Sequence, residues 1–264
     1  MRQAHPRPCS AFTLIELLVV IGIIGVLAGM LLPSLRQARA AALLASCQSR
    51  LRQWSVAFDM YALQNDDFYP HTDGLDRENG PADCYGWVDV LPPLMDAKPW
   101  REHARWHHPG TDTIFQCPAA TLGPESVYDY KPRRNGYFSY AMNSCLELDG
   151  DCWRAPGDGG VPMPSFLRRS KVANPSRVVL LFDQLLDPRR AYDGKRKYRS
   201  AGKHCGSYPK AFSARHARSR SGLGGSVLFC DYHVEWRESV WKSHWPADLE
   251  VPPRDDPDWF PYPP

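Results

Sequence analysis

Beyond Leu32 the chain has no second apolar run long enough to cross a bilayer, so a single helical span is the most that it offers a membrane. It also lacks a charge excess. Lys and Arg total 32 against 29 Asp and Glu, and a net charge of +3 spread along the chain gives no case for nucleic acid as a partner. No phosphate-binding glycine loop, dinucleotide fingerprint or nucleophile elbow occurs. Glu102, His103, His107 and His108 lie close together, with His103 and His107 on one helical face. No Glu stands between the paired histidines and no third ligand is evident, so a solvated helix end closed by Pro109 is the better reading. An enzyme is therefore not supported.

Metal patterns are equally sparse. Cys205, His216, Cys230 and His233 have the right chemistry for zinc, but their spacing fits no compact finger, and a disulfide with surface histidines accounts for them as well. Asp66, Asp67, Asp73 and Asp76, and later Asp149, Asp151 and Asp158, crowd two loops without the order of an EF-hand. No metal site and no cofactor is expected, with Ca2+ the candidate that those oxygen-rich loops leave open.

What the chain does have is one greasy stretch, Phe12 to Leu32. At about 1.5 Å per residue it spans roughly 30 Å as a helix, the thickness of a hydrocarbon core. Glu16 interrupts it in the first turns, where an unpaired carboxylate in lipid costs at least about 2.5 kcal/mol. A secretory signal peptide fits poorly: the run exceeds the usual apolar core, begins with an acid, and is followed by no clear cleavage triplet. The small residues Ser10 and Ala11 instead precede Phe12. A cut there removes a short basic leader and leaves the apolar helix as the new N-terminus.

Ser10-Ala11-Phe12-Thr13-Leu14-Ile15-Glu16 resembles the processing site of type IV prepilins and type II secretion pseudopilins. The resemblance implies cleavage between Ala11 and Phe12 by a prepilin peptidase, N-methylation of Phe12, and a role for Glu16 in assembly. There it neutralises the N-terminal ammonium of a neighbouring subunit. Pro33 falls where the family has a helix-kinking proline. Ala11 departs from the Gly usual before the cut. Arg2 and Arg7 compete with Arg36 and Arg39 in the positive-inside rule, so orientation also follows from the resemblance. It implies a single-pass protein of the bacterial inner membrane with a cytoplasmic N-terminus and a head in the periplasm or an extracellular filament.

The helical pattern continues past Pro33. Leu43, Cys47, Leu51, Trp54, Phe58 and Tyr61 recur at steps of three or four and make one apolar stripe, ended by Asn65-Asp66-Asp67. The 25 prolines and 19 glycines then describe a loop-rich head. Short strands are expected at Thr113 to Pro118, at Gly136 to Asn143, at the buried run Val178 to Asp183, and in a hairpin from Gly224 to Trp236 cornered at Asp231-Tyr232. The expected fold is α+β and pilin-like, a long N-terminal helix packed on a small antiparallel sheet with long loops. The division is leader 1–11, transmembrane helix 12–32, amphipathic continuation 33–66 and extracytoplasmic head 67–264.

Of the eight cysteines, Cys9 leaves with the leader and Cys47 lies on the helix. Six remain, and 15 connectivities are open to them. Turn-forming residues suggest Cys145 with Cys152, and Cys205 with Cys230 is a second pairing; reduced, buried thiols are the alternative. Phe115-Gln116-Cys117-Pro118, Ser139 to Asn143, Val179 to Asp183, Arg215-His216 and Val227 to Val234 resemble, in patches, large-headed pseudopilin-like proteins with a His-x9-Asp-Gly motif. Here fourteen residues separate His216 from Asp231, and Tyr232 replaces the Gly.

The function expected is a structural subunit, assembled with other pilin or pseudopilin subunits into a type II secretion pseudopilus or type IV pilus-like filament. Its partners are the peptidase, those subunits and inner-membrane lipid. The alternatives are a minor tip pilin, or a membrane-anchored module whose tryptophans bind polysaccharide or cargo.

Overall fold

The computed structural model describes residues 13–72, 86–102, 114–120, 138–146, 167–184, 205–207, 209, 212, 215–217, 222–238 and 257–261. They fall into two compact units, Met1–Ala42 and Leu43–Pro264. One helix, α1 (Leu14–Gln64), runs through both sequence ranges.

In the first unit the helix from Leu17 to Leu32 is apolar on every side, and its side chains are exposed. Leu14, Ile15, Leu18, Ile21, Ile24, Leu27 and Leu31 are all exposed. This segment is long and apolar enough to cross a membrane. Pro33 lies inside the helix and cannot donate the bond that the Gly29 carbonyl otherwise accepts.

In the second unit the helix becomes one-sided. Cys47, Leu51, Trp54 and Phe58 of the expected stripe are buried, Leu43 and Tyr61 are partly buried and Ala62 is buried beside them, while Val56, Met60 and Leu63 face outward. The helix stops where the chain turns left-handed: Asp66 and Asp67 have φ of 50° and 69°. The Asp67 amide folds back onto the Ala62 carbonyl at 2.9 Å, satisfying a group that the helix end would leave bare.

The stripe packs on a six-stranded sheet: β1 (Tyr140–Asn143), β2 (Val179–Asp183), β3 (Gly206–Ser207), β4 (His216–Ala217), β5 (Leu223–Phe229) and β6 (Val234–Glu238). β1 pairs with β2, β2 with β5, and β5 with both β4 and β6, all antiparallel. The two-residue β3 adds parallel to β1. The small antiparallel sheet expected from the sequence is thus the main body of the sheet, with one short parallel edge.

Both faces of the sheet are covered, and this explains why β2 reads as an unbroken apolar run. Tyr140, Met142, Leu181 and Leu228 join the core around Cys47, Leu51, Trp54 and Phe58. Their strand neighbours Ala141, Phe182, Val227 and Phe229 join a second core with Phe212 and Trp259. The C-terminal segment supplies that second cover. Asp258 bridges Val178, and the Trp259 carbonyl accepts from Asn143 Nδ2 at 2.9 Å.

One expected strand is corrected. Ile114 to Pro118 forms turns, not a strand. Two of its carbonyls are taken by helix side chains: Trp54 Nε1 donates to Ile114 O at 3.1 Å and Arg50 donates to Gln116 O. The hairpin β5–β6 turns through Asp231-Tyr232 as expected, and Tyr232 holds a left-handed φ of 72°, a conformation that glycine adopts without strain.

Candidate functional site

The processing segment is described from Thr13 onward; Ala11 and Phe12 lie outside the described residues. Thr13 and Glu16 close the first turn of α1 reciprocally. Thr13 Oγ1 accepts from the Glu16 amide at 3.2 Å, and Glu16 Oε2 accepts from the Thr13 amide at 2.9 Å and from its hydroxyl at 2.7 Å. This is a capping box. The carboxylate is thereby held at the very start of the helix, on an exposed surface whose neighbours are all apolar.

In the head, four side chains from distant parts of the chain converge. Cys47 comes from α1, Cys117 from the turn after Phe115, Asp183 from the end of β2 and His216 from β4. Their donor atoms all lie within 4.8 Å of one another, and all four residues are buried. Cys117 Sγ stands 3.0 Å from His216 Nε2, and the same Nε2 stands 3.4 Å from Asp183 Oδ2. The Arg215 guanidinium, also buried, pairs with Asp183 Oδ1 at 3.1 Å. Tyr140 donates to Cys47 Sγ at 3.3 Å.

These contacts set the charges. Burial pushes the Cys47 thiol well up, and its contact with Cys117 adds to this. Burial acts in the same direction on Cys117, but hydrogen bonds from Cys47 and His216 and the charge of Arg215 override it and bring that thiol well below its ordinary range. Burial lowers His216, and the partners Cys117 and Asp183 more than reverse this, so it rises.

The other anticipated residues separate. Cys205 and Cys230 are buried thiols that are not joined to each other, so the pairing expected between them is not formed. Cys205 precedes β3, where its carbonyl accepts from Trp87 Nε1 at 2.8 Å, whereas Cys230 opens the β5–β6 turn and its carbonyl accepts from Tyr69 at 3.1 Å. Cys145 is likewise a free buried thiol, and Cys152 lies outside the described residues. His216 and Asp231, linked by the motif, have different settings: Asp231 Oδ1 pairs with His233 Nδ1 at 2.5 Å at the hairpin corner. Of Cys205, His216, Cys230 and His233, His216 alone belongs to the convergent cluster. His103 and His107, and Asp73, Asp76, Asp149, Asp151 and Asp158, lie outside the described residues.

Cys47, Cys117 and Asp183 were not singled out as a group from the sequence. Each was visible only separately: Cys47 in the apolar stripe, Cys117 before Pro118, and Asp183 at the end of an apolar strand.

A capped apolar helix free of its own core, followed by a one-sided continuation on a small sheet, is the pilin-like layout. A family model, the prokaryotic N-terminal methylation motif, matches residues 6–32. The chain carries the signature of type IV prepilins and pseudopilins. No curated protein and no solved structure matches it.

Proposed function

We propose that this protein is a structural subunit that a prepilin peptidase cuts between Ala11 and Phe12, that is N-methylated on Phe12, and that polymerises through the helix from Phe12 to Leu32. The observation that carries the reading is the placement of Glu16. Its carboxylate caps the first turn of a helix whose flanks are otherwise apolar and exposed, within a matched methylation motif. A carboxylate so placed in lipid is costly, and a neighbouring subunit's N-terminal ammonium offsets that cost on assembly. The division follows: leader 1–11, membrane helix 12–32, continuation 33–66, and head 67–264 outside the inner membrane. The filament is a type II secretion pseudopilus or a type IV pilus.

Trp54, Trp87 and Trp259 are fully buried, and Trp100 packs on Phe115 and Phe138 at ring centroid distances of 5.5 and 4.8 Å. Among the described residues these four indoles pack in or against the interior of the head. Glu16→Ala tests assembly: the variant is expected to remain in the membrane with its leader removed, yet to be missing from sheared or sedimented filaments. Filaments that incorporate Glu16→Ala as well as the unchanged chain contradict the reading.

A further inference from the structure

We propose that Cys47, Cys117, Asp183 and His216 form a closed structural Zn2+ site that staples helix α1 to the sheet of the head. The argument begins with convergence. Two sulfurs, an imidazole nitrogen and a carboxylate oxygen lie within 4.8 Å of one another at the centre of the core, and the four residues are between 0% and 3% exposed. Zn2+ takes sulfur at about 2.3 Å and nitrogen or oxygen at about 2.0–2.2 Å, so its tetrahedral ligands stand about 3.2–3.8 Å apart. The His216 to Asp183 separation of 3.4 Å falls within that range, and the Cys117 to His216 separation of 3.0 Å needs only to widen slightly to admit the ion.

The geometry distinguishes this site from a nucleophilic one. A Cys-His-Asp triad needs the thiol at one ring nitrogen and the carboxylate at the other. Here both face Nε2 of His216, as ligands gathered around a common centre do. Four protein ligands without solvent access also fit a structural ion, since a catalytic zinc keeps a position open.

Charge closes as well. The ion's two positive charges and that of Arg215 balance two thiolates and the Asp183 carboxylate, leaving a neutral core. The ion takes two thiolates and a neutral imidazole, so binding releases protons to solvent. Arg215 on Asp183 Oδ1 and the Tyr140 hydroxyl on Cys47 Sγ supply the outer hydrogen-bonding groups that orient such ligands. Coordination also keeps two neighbouring thiols from oxidising.

The test uses the full chain, solubilised in detergent without chelator. Plasma mass spectrometry should find about one zinc per chain, and X-ray absorption at the zinc edge should show two sulfurs at about 2.3 Å and two nitrogen or oxygen ligands at about 2.0–2.2 Å. Cys117→Ser should lower zinc content at least tenfold, while Cys145→Ser, on the opposite face of the sheet, should retain it. Should Cys117→Ser fail to fold, the absorption spectrum of the unchanged chain decides alone. Three results overturn the proposal: no zinc after equilibration with a zinc salt, a zinc shell lacking sulfur, or a Cys47–Cys117 disulfide in the non-reduced intact mass.

Discussion

The indoles of Trp54 on α1 and Trp87, which opens the short helix Trp87–Val90, meet edge to face, with ring centroids 4.9 Å apart and planes at 84°. Both are fully buried, and Phe58 and Phe115 complete the cluster at 6.3 and 6.5 Å from Trp87. This contact is where the amphipathic half of the helix is fixed to the head. Trp54→Ala removes the largest side chain on the stripe and the donor to Ile114 O. It should cost about 3–5 kcal/mol, read as a lower urea midpoint. Val56→Ala, on the outward face, should change stability by less than about 0.5 kcal/mol.

Gly224 stands where the sheet leaves no room for a side chain. A Cβ built there stands 2.1 Å from the Arg237 carbonyl oxygen and 2.7 Å from the Trp236 ring. The carbonyl belongs to the paired strand β6 and cannot swing aside as a side-chain tip can. Gly224→Ala should destabilise the head by at least about 1–3 kcal/mol and loosen the β5–β6 pairing. Thermal melting, with amide exchange of Ser226 and Arg237, measures both effects.

The end of α1 is clasped by an ion pair that acid should open. Asp67 accepts from the Ser170 amide at 2.9 Å and from Arg169 Nε at 2.9 Å, and Arg169 also reaches Asp59. Hydrogen bonds from Ser170, followed by the charge of Arg169, hold the Asp67 carboxyl below its usual range. Because its folded pKa is depressed, this carboxylate contributes stability at pH above its unfolded value of about 4 and loses it as pH falls through the folded one. Both side chains are about a third exposed, so the effect is modest and screened by salt. Melting temperature should fall less steeply on acidification in Asp67→Asn than in the unchanged chain.

How far the sequence reveals this molecule depends on where its backbone bonds go. Helix α1 and strand β2 are legible because local periodicity and apolar length mirror burial that runs along each element. Ile114 to Pro118 looks like a strand and is not, because Trp54, Arg50 and Ser139 satisfy its polar groups with side chains from α1 and from the segment before β1. No local pattern encodes such partners. The metal-type cluster was hidden for the same reason: its ligands lie at positions 47, 117, 183 and 216, and only the packing of helix against sheet brings them together. Conversely, Cys205 and Cys230 invited pairing by spacing, but one precedes an edge strand and the other opens a hairpin. The capping of Thr13 and Glu16 is legible in the Thr-x-x-Glu pattern itself, because it needs only two residues three apart at the start of a helix.

The central claim is that the chain is processed as a prepilin. The measurement that tests it most directly is N-terminal peptide and intact mass spectrometry of the protein taken from membranes of its native host. The account predicts a mature chain that begins at N-methylated Phe12. A chain that keeps Met1 to Ala11, or one that begins beyond Leu32, contradicts it.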